Sequence, residues 1–398
     1  MSKSIKQYLL TIDHDHYYVE TVLEGSAYKS FNLLIEDSTP LSVDRKLQFV
    51  PLKDTAQLIV IDSIHSGGGR TSDNDFYRNV MEPIFIKLNL THLLVKTTSK
   101  DSVENFASKL DLTKHYEIFF LSGDTTISEF INGLPKQSLD VNDAKNSLSI
   151  LPFPFGTGNA LANSLGLTCP TTIFSNYLTS NYSINNFPLY KAIFPNGNEI
   201  VFFVILSLGF HANLLHCCEA PHYKKLGVER FRIASEDILA NYDLDLNISI
   251  ESPRGLSPIV PSREYSYFVV VNTPKLEAKY IPSPQSNPLR SQLHIIAYSS
   301  SLPKDELMAR ILKGYENNIG DVVNNTGVTY LPIEDNFIIK LNYSQEYSPS
   351  SKFQLCCDGL LFNLNDFIHK NDNGPCKNNE ILIEFLSTYS PFQLSLMS

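Results

Sequence analysis

Apolar positions follow two rhythms along this chain, and the change between them divides it. In the first part, short apolar runs of strand length alternate with stretches of helical spacing. The runs are Leu58-Ile59-Val60-Ile61, Leu93-Leu94-Val95, Ile118-Phe119-Phe120-Leu121 and Ser147–Pro152. Helices are expected from about Asp75 to Leu88, from Ser102 to Leu110, and over Ile127, Phe130, Ile131 and Leu134. Strand and helix in alternation imply a parallel sheet with covering helices. Ahead of this region, Tyr8–Ile12, Tyr17–Leu23, Phe31–Ile35 and Leu47–Val50 are β-favouring runs separated by polar stretches. From about residue 186 helical spacing thins out. Residues 199–209, 266–272, 293–298, 337–342 and 381–386 read as strands, and Lys304 to Tyr315 is the clearest helix. Residues 252–262 and 281–291, rich in Pro and Ser, read as loops. The expected organisation is a strand-rich extension over 1–50, an α/β domain with a parallel sheet over 51–185, and an antiparallel β domain over 186–398.

Composition narrows the classes. The 398 residues suggest two or three domains and are 43% hydrophobic, enough for large cores. A formal charge of −10 speaks against a general nucleic-acid binder, while leaving room for a local basic patch. The six cysteines include no Cys-x-x-Cys pair, so zinc and dithiol chemistry have no support and reduced thiols are expected. The opening MSKSIKQYLLTIDHDH lacks the apolar core of a signal peptide, and the longest strongly apolar run, Ile200 to Leu206, is too short to span a bilayer. These features predict a cytoplasmic protein whose membrane contact is peripheral. Asp13-His14-Asp15-His16 has metal-ligand chemistry but no accompanying cluster, and reads as a solvated turn.

Candidate chemistry sits between the strands and helices of the α/β part. Ile118–Leu121 runs into Ser122-Gly123-Asp124-Thr125-Thr126 and then a helix. Such a turn places backbone N–H groups and a carboxylate at the C-terminal edge of the sheet, where α/β proteins bind ligands and helix starts attract anions. A carboxylate there can help hold Mg²⁺ or accept a proton from an attacking hydroxyl. Leu58–Ile61 leads into Ser63-Ile64-His65-Ser66-Gly67-Gly68-Gly69-Arg70, whose three glycines let backbone approach a phosphate. It is neither a Walker A loop nor a dinucleotide fingerprint. A third turn, Pro154-Phe155-Gly156-Thr157-Gly158-Asn159-Ala160-Leu161-Ala162, follows Ser147–Pro152. In the second half, His222 to Arg232 is the most basic segment, readable as a solvated helix or as a phosphate clamp.

In this order the segments resemble lipid kinases with a diacylglycerol-kinase catalytic domain, in the branch of the sphingoid-base (sphingosine) and ceramide kinases. Ser66–Arg70 resembles the first Gly-rich loop. Ser122–Thr126 with Glu129 and Asn132-Gly133-Leu134 resembles the central Gly-Gly-Asp-Gly turn and its helix, and Pro154–Ala162 the third motif. Ser207-Leu208-Gly209-Phe210 with Tyr223-Lys224-Lys225-Leu226-Gly227 and Arg230-Phe231 resembles the segment typical of the branch, and Cys357-Asp358-Gly359 the start of the last motif. The resemblance implies an N-terminal α/β nucleotide-binding domain and a C-terminal antiparallel β-sandwich that binds lipid, with ATP in the cleft. It implies that Ser63, His65, Ser66, Gly67, Gly68, Gly69, Thr97, Ser122, Gly123, Thr125, Gly156, Thr157, Gly158, Asn159, Lys224, Arg230, Asp358 and Gly359 serve ATP. Asp124 would be the base and a Mg²⁺ ligand, with Glu129 beside it in the catalytic set. Phe210, Asn213 and Leu215 would face the lipid.

The sequence departs from the family pattern at defined positions. Ser63 and Ile64 stand where Asn-Pro is usual, Thr125 replaces a Gly, and Leu360 replaces the Glu of the last motif. Asn213 and Leu215 occupy two positions that carry Asp in sphingosine kinases, with Glu219 nearby. A β-branched residue at positive φ is an outlier, so Thr125 is expected at negative φ. Three functions follow: an ATP- and Mg²⁺-dependent kinase acting on the primary hydroxyl of a sphingoid base or related lipid such as ceramide or diacylglycerol; a degenerate homologue that binds lipid or partners; and NAD kinase, which shares the Gly-Gly-Asp-Gly turn but leaves the third motif unexplained. A carboxylate base is expected to serve transfer rather than nucleotide binding.

Overall fold

The computed structural model describes residues 2–25, 27–37, 56–135, 146–240, 242–255, 258–316, 327–342, 350–367, 376–387 and 392–398. The run Leu47–Val50 lies outside them. The chain divides into two compact units, Met1–Phe187 with Thr388–Ser398, and Pro188–Ser387.

The first unit is built on a six-stranded sheet. Its spatial order is His92–Lys96, Ala56–Asp62, His115–Ser122, Ser147–Pro154, Gln393–Met397 and Ile184–Asn186. Neighbours are parallel except for the last pair. Leu58–Ile61 and Ile118–Leu121 are buried at every residue, as strands covered on both faces must be. From Ala56–Asp62 the chain steps outward to His92–Lys96, then crosses to the other side at His115–Ser122. That reversal makes the C-terminal ends of Ala56–Asp62 and His115–Ser122 a topological switch point. The predicted 75–88 helix is a π-helical turn, Tyr77–Met81, running into the α-helix Glu82–Lys87. The predicted 102–110 helix covers Ser102–Ala107, and a ten-residue helix, Asp124–Gly133, follows the central strand.

Two further parts complete this unit. Ser2–Ile12, Asp15–Glu24 and Ala27–Asp37 form a three-stranded antiparallel sheet whose inner face joins the same hydrophobic core. His16 lies in the second of these strands, buried, with a ring nitrogen 2.7 Å from Thr11 Oγ1, and so is not part of a solvated turn. Gln393–Met397, expected within the second domain, pairs in parallel with Ser147–Pro154 of the first unit instead. Only tertiary pairing reveals this, because the strand is separated by some 240 residues from its neighbour, with Ser149 and Ser395 hydroxyls 2.8 Å apart across it.

The second unit holds a continuous 11-stranded sheet in which every pairing is antiparallel, where two sheets of a sandwich were expected. Pro258–Val271 is its hub. Its first part pairs with Leu246–Glu251, and its second part pairs with both Ile205–Gly209 and Leu293–Ser299. Residues 258–262 are therefore strand rather than loop. Pro261 is tolerated because the register slips beside it, and a bulge needs no donor there. The run 199–209 is two strands, Glu199–Phe202 and Ile205–Gly209. Between them the N–H groups of Phe203, Val204 and Ile205 turn onto the Asp358 carboxylate at 2.8–2.9 Å. Helices Phe210–Cys218, Pro221–Lys224 and Arg230–Ala240 escaped the pattern because their shared apolar patch is small, centred on Cys218, Tyr223 and Ala234. Lys304–Leu312 is helical as expected, with a 3₁₀ turn after it. Among the described residues no helix is long and apolar enough to cross a membrane.

Leu396 has no exposed surface in the C-terminal strand. Leu396→Ala should cost about 2–5 kcal/mol, the usual range for a buried leucine. A chemical denaturation midpoint unchanged from the wild type would show that the strand does not belong to this core.

Candidate functional site

Three loops meet at the switch point. The first leaves Ala56–Asp62 and is closed by its own backbone: Ser66 N–H donates to Ser63 O at 2.9 Å, Gly69 N–H to Ser66 O at 3.0 Å, and Arg70 N–H to Ile64 O at 2.8 Å. Ser63 N–H reaches Leu121 O on the neighbouring strand at 3.3 Å. Gly67 has φ +60, and a Cβ there would lie 2.7 Å from Phe155 O in the third loop. The second loop, Ser122-Gly123, touches the third still more closely. A Cβ on Gly156 would lie 2.4 Å from Gly123 Cα. These glycines are required because backbone packs on backbone with no space for a side chain. Asn159 takes the left-handed conformation, φ 54, and its side chain closes the third loop, accepting from Gly156 N–H at 2.7 Å and donating to Gly156 O at 2.9 Å. His65, Gly68 and Thr157 stand exposed on these loops. Thr97, ending the edge strand, is buried and donates its N–H to Asp62 O at 3.1 Å.

Beneath the first loop lies an ion pair that the motifs did not signal. Asp62 ends its strand almost wholly buried, and one of its oxygens accepts from Arg70 Nε at 3.1 Å. Arg70 also donates through Nη2 to Leu121 O at 2.8 Å and places its guanidinium 4.6 Å from the Phe155 ring centre. Burial pushes the Asp62 carboxyl up, against the pull of Arg70 and Lys96. Burial likewise lowers the Arg70 guanidinium. The second Asp62 oxygen has no hydrogen-bond partner among the described residues. A polar residue closing an apolar strand, with a cation eight positions later beyond a Gly-rich loop, was the available clue.

Asp124 opens its helix and reaches across to the third loop. Oδ2 accepts from Ala160 N–H at 2.7 Å and Oδ1 from Leu161 N–H at 2.9 Å, so the carboxylate caps the helix Ala160–Ser164. Burial raises its carboxyl above the ordinary range, and these donors, with its own N–H, oppose the shift. By surface area the residue is only part-buried. Its carboxylate is nonetheless hemmed in by the loops. Thr125 lies inside the helix at negative φ and needs none of glycine's freedom. Glu129 lies further along, where the same helix packs on Ser102–Ala107. Burial, opposed by Lys100 and reinforced by Glu104 and Asp101, raises its carboxyl to about 7.

The remaining predicted residues belong to the second unit. Lys224 pairs with Glu219 at 2.6 Å, both half exposed, so neither is an isolated charge. Arg230 is half-buried, and its Nε is enclosed without a hydrogen-bond partner among the described residues. Phe210 and Asn213 are buried, with Asn213 Nδ2 donating to Gly209 O at 3.0 Å, and Leu215 is half-buried on the same helix. His211, one residue on from Phe210, has a ring nitrogen 2.8 Å from Ser207 Oγ, and burial lowers its pKa to about 4. It was not foreseen as a site residue. Asp358 (φ 48) and Gly359 (φ 88) form a tight turn in which the carboxylate binds three backbone N–H groups of the adjacent strand junction.

Among the described residues no three or more His, Cys, Asp or Glu side chains cluster to hold a metal. A magnesium ion carried chiefly by nucleotide phosphates needs only one or two protein carboxylates. Asp124 fits that lesser demand through the lone pairs its backbone donors leave free.

Residues 57–180 match the family model of the diacylglycerol kinase catalytic domain. Sphingosine kinase B of Dictyostelium discoideum is 33% identical over 107 residues, 27% of this chain and 14% of that protein. Sphingosine kinase 2 of Arabidopsis thaliana is 30% identical over 109 residues, 26% of this chain and 22% of that protein. The matched part is thus less than a quarter of either relative. A solved structure of a diacylglycerol kinase from Bacillus anthracis str. Sterne aligns with TM-score 0.54 at 17% identity, covering 87% of this chain and 98% of that one. Another structure from that organism aligns with TM-score 0.56 at 13% identity over the same shares, so the fold is common to them. Over residues 57–180 the chain is thus similar to the diacylglycerol kinase catalytic domain, and the sequences it resembles include sphingosine and sphingoid long-chain base kinases.

Proposed function

We propose that the chain is an ATP-dependent lipid kinase that phosphorylates the primary hydroxyl of a sphingoid base or a related neutral lipid. The observation that carries this reading is the convergence of three glycine-bearing loops at the switch point, with Asp124 at their junction. Loops packed backbone to backbone leave N–H groups to face phosphate oxygens, and phosphoryl transfer depends on such positioning and charge neutralisation more than on covalent chemistry. In the step, the acceptor oxygen attacks the γ-phosphorus, the bond from that phosphorus to the β,γ-bridging oxygen breaks, and ADP leaves. The hydroxyl proton passes to Asp124, whose raised carboxyl makes it a better base and whose two N–H donors hold its orientation. Magnesium, when bound with the nucleotide, would supply further neutralisation of phosphate charge. Arg230, whose Nε has no hydrogen-bond partner among the described residues, has the chemistry to bind an anion.

For the acceptor, the helix Phe210–Cys218 carries no carboxylate, His211 is neutral at physiological pH, and Glu219 is already paired with Lys224. These features support weak discrimination between an amine-bearing base and a neutral lipid alcohol. Contact with a membrane would be peripheral and follows from the substrate. A second reading, a degenerate homologue that binds without transferring, is favoured by Asp358, whose carboxylate is taken up by backbone amides, and by Leu360 in place of an acid.

The deciding assay uses purified protein, labelled ATP and a panel of sphingosine, ceramide, diacylglycerol and NAD. Label should enter sphingosine and at least one neutral lipid at comparable rates. Nucleotide binding with no labelled lipid would establish the degenerate reading, and label in NAD alone would replace the lipid assignment.

Asp124→Asn should lower turnover by at least ~100-fold, the low end for loss of a general base. It should also weaken ATP binding, because the amide nitrogen would confront a backbone N–H of Ala160 or Leu161. This second effect departs from the sequence expectation of a pure transfer defect, and equilibrium titration with ATP in the absence of lipid separates the two.

Arg230→Ala should raise the ATP dissociation constant by about 10-fold or more, as for a lost hydrogen bond to a charged group. Lys224→Ala should change it by less than about threefold, since exposed ion pairs contribute little. Equal effects in the two variants would show that both cations, or neither, meet phosphate.

A further inference from the structure

The N-terminal sheet packs on the loops as well as on the general core of its unit. Ala27–Asp37, its third strand, aims Tyr28 and Phe31 at the third loop. Their ring centres lie 5.6 and 6.0 Å from that of Phe155, and Phe31 also meets Phe76 edge-on at 4.9 Å. Phe31 N–H donates to Asp73 O at 2.9 Å, just beyond the first loop, and Tyr28 Oη donates to Thr168 O at 3.3 Å. Phe155 is the common point of all three loops. Its carbonyl oxygen lies 2.7 Å from where a Gly67 Cβ would be, its N–H is shared between Phe153 O at 2.8 Å and Ser122 O at 3.3 Å, and its ring carries the Arg70 guanidinium. The opposite edge of the sheet makes different contacts: Ser2–Ile12 packs on the helix Pro170–Leu178, where Ser175 Oγ donates to Leu9 O.

We propose that the N-terminal sheet is a working part of the nucleotide site, with Phe31 and Tyr28 as positioning residues that set the height of all three Gly-rich loops through Phe155. The proposal rests on the reading of those loops as the ATP site. The physical argument is that loops closed on themselves by short hydrogen bonds, and packed without side chains between them, move as one body. One rigid aromatic contact with a sheet can therefore register the whole group. Removing the Phe31 ring leaves Phe155 unsupported on that side, and the disturbance passes to Gly67, Ser122 and Gly156 together. A loss of packing elsewhere in the sheet lowers stability without that effect.

The test compares Phe31→Ala and the milder Tyr28→Leu with Leu10→Ala, a fully buried position on the opposite edge strand. Amide hydrogen exchange in the full chain should accelerate by about tenfold or more across Gly67–Gly69 and Gly156–Asn159 in the first two variants. In Leu10→Ala those amides should exchange as in the wild type despite a lowered Tm. ATP affinity, measured in parallel, should fall on the order of tenfold in Phe31→Ala, since a displacement near 1 Å can cost up to ~100-fold in a positioned site. If loop exchange is unchanged in both aromatic variants, or rises equally in Leu10→Ala, the sheet is only structural and the proposal falls. If exchange rises as expected but the wild type binds no ATP, the mechanical coupling stands and the nucleotide reading is what fails.

Discussion

Gly123 and Gly156 approach so closely that a single added carbon on Gly156 would lie 2.4 Å from the Gly123 α-carbon. The site depends on this contact. It brings the loop after the central strand against the loop after its neighbour, and Gly67 closes the group from the third side. Such an approach is available only to glycine, and only where two parallel strands end side by side. The strand order supplies that condition, because the chain reverses direction across the sheet between Ala56–Asp62 and His115–Ser122.

Charge is arranged around this contact in two different ways. Below the first loop, Asp62 and Arg70 are buried together, and the geometry holds Arg70 against Leu121 O and the Phe155 ring as well. A buried pair of this kind contributes specificity of arrangement more surely than stability, because desolvation offsets much of the attraction. Above it, Asp124 faces the backbone of the third loop. Its two oxygens satisfy the amides that begin the next helix, so one carboxylate ties the second loop to the third. The structural role of this side chain is therefore to lock two of the loops together.

In the second unit a buried acid organises backbone. Asp358 gathers three N–H groups at the break between Glu199–Phe202 and Ile205–Gly209, where the apolar pattern alone suggested one continuous strand. Strand Ile205–Gly209 then leads through Gly209, at φ +67, into the helix carrying Phe210, His211 and Asn213. The Asp358 turn thereby fixes where that helix starts.

The sequence by itself determined the parallel α/β region, the central strand–turn–helix and the three glycine-bearing loops, because consecutive buried residues, helical spacing and glycine punctuation are local signals. It also pointed to negative φ at Thr125, since a β-branched residue at positive φ is an outlier. The tertiary structure decided what depends on partners distant in the chain. Gln393–Met397 joins a sheet whose nearest strand is Ser147–Pro154, and no local pattern names that neighbour. The eleven strands of the second unit join into one sheet because Pro258–Val271 is long enough to pair with three others. Asp62, Arg70 and Phe155 matter through contacts made across loops, and a motif records residue types but not which side chains meet. The N-terminal strands were legible as strands, while their place against Phe155 came from packing, which is written in volume and shape rather than in periodicity.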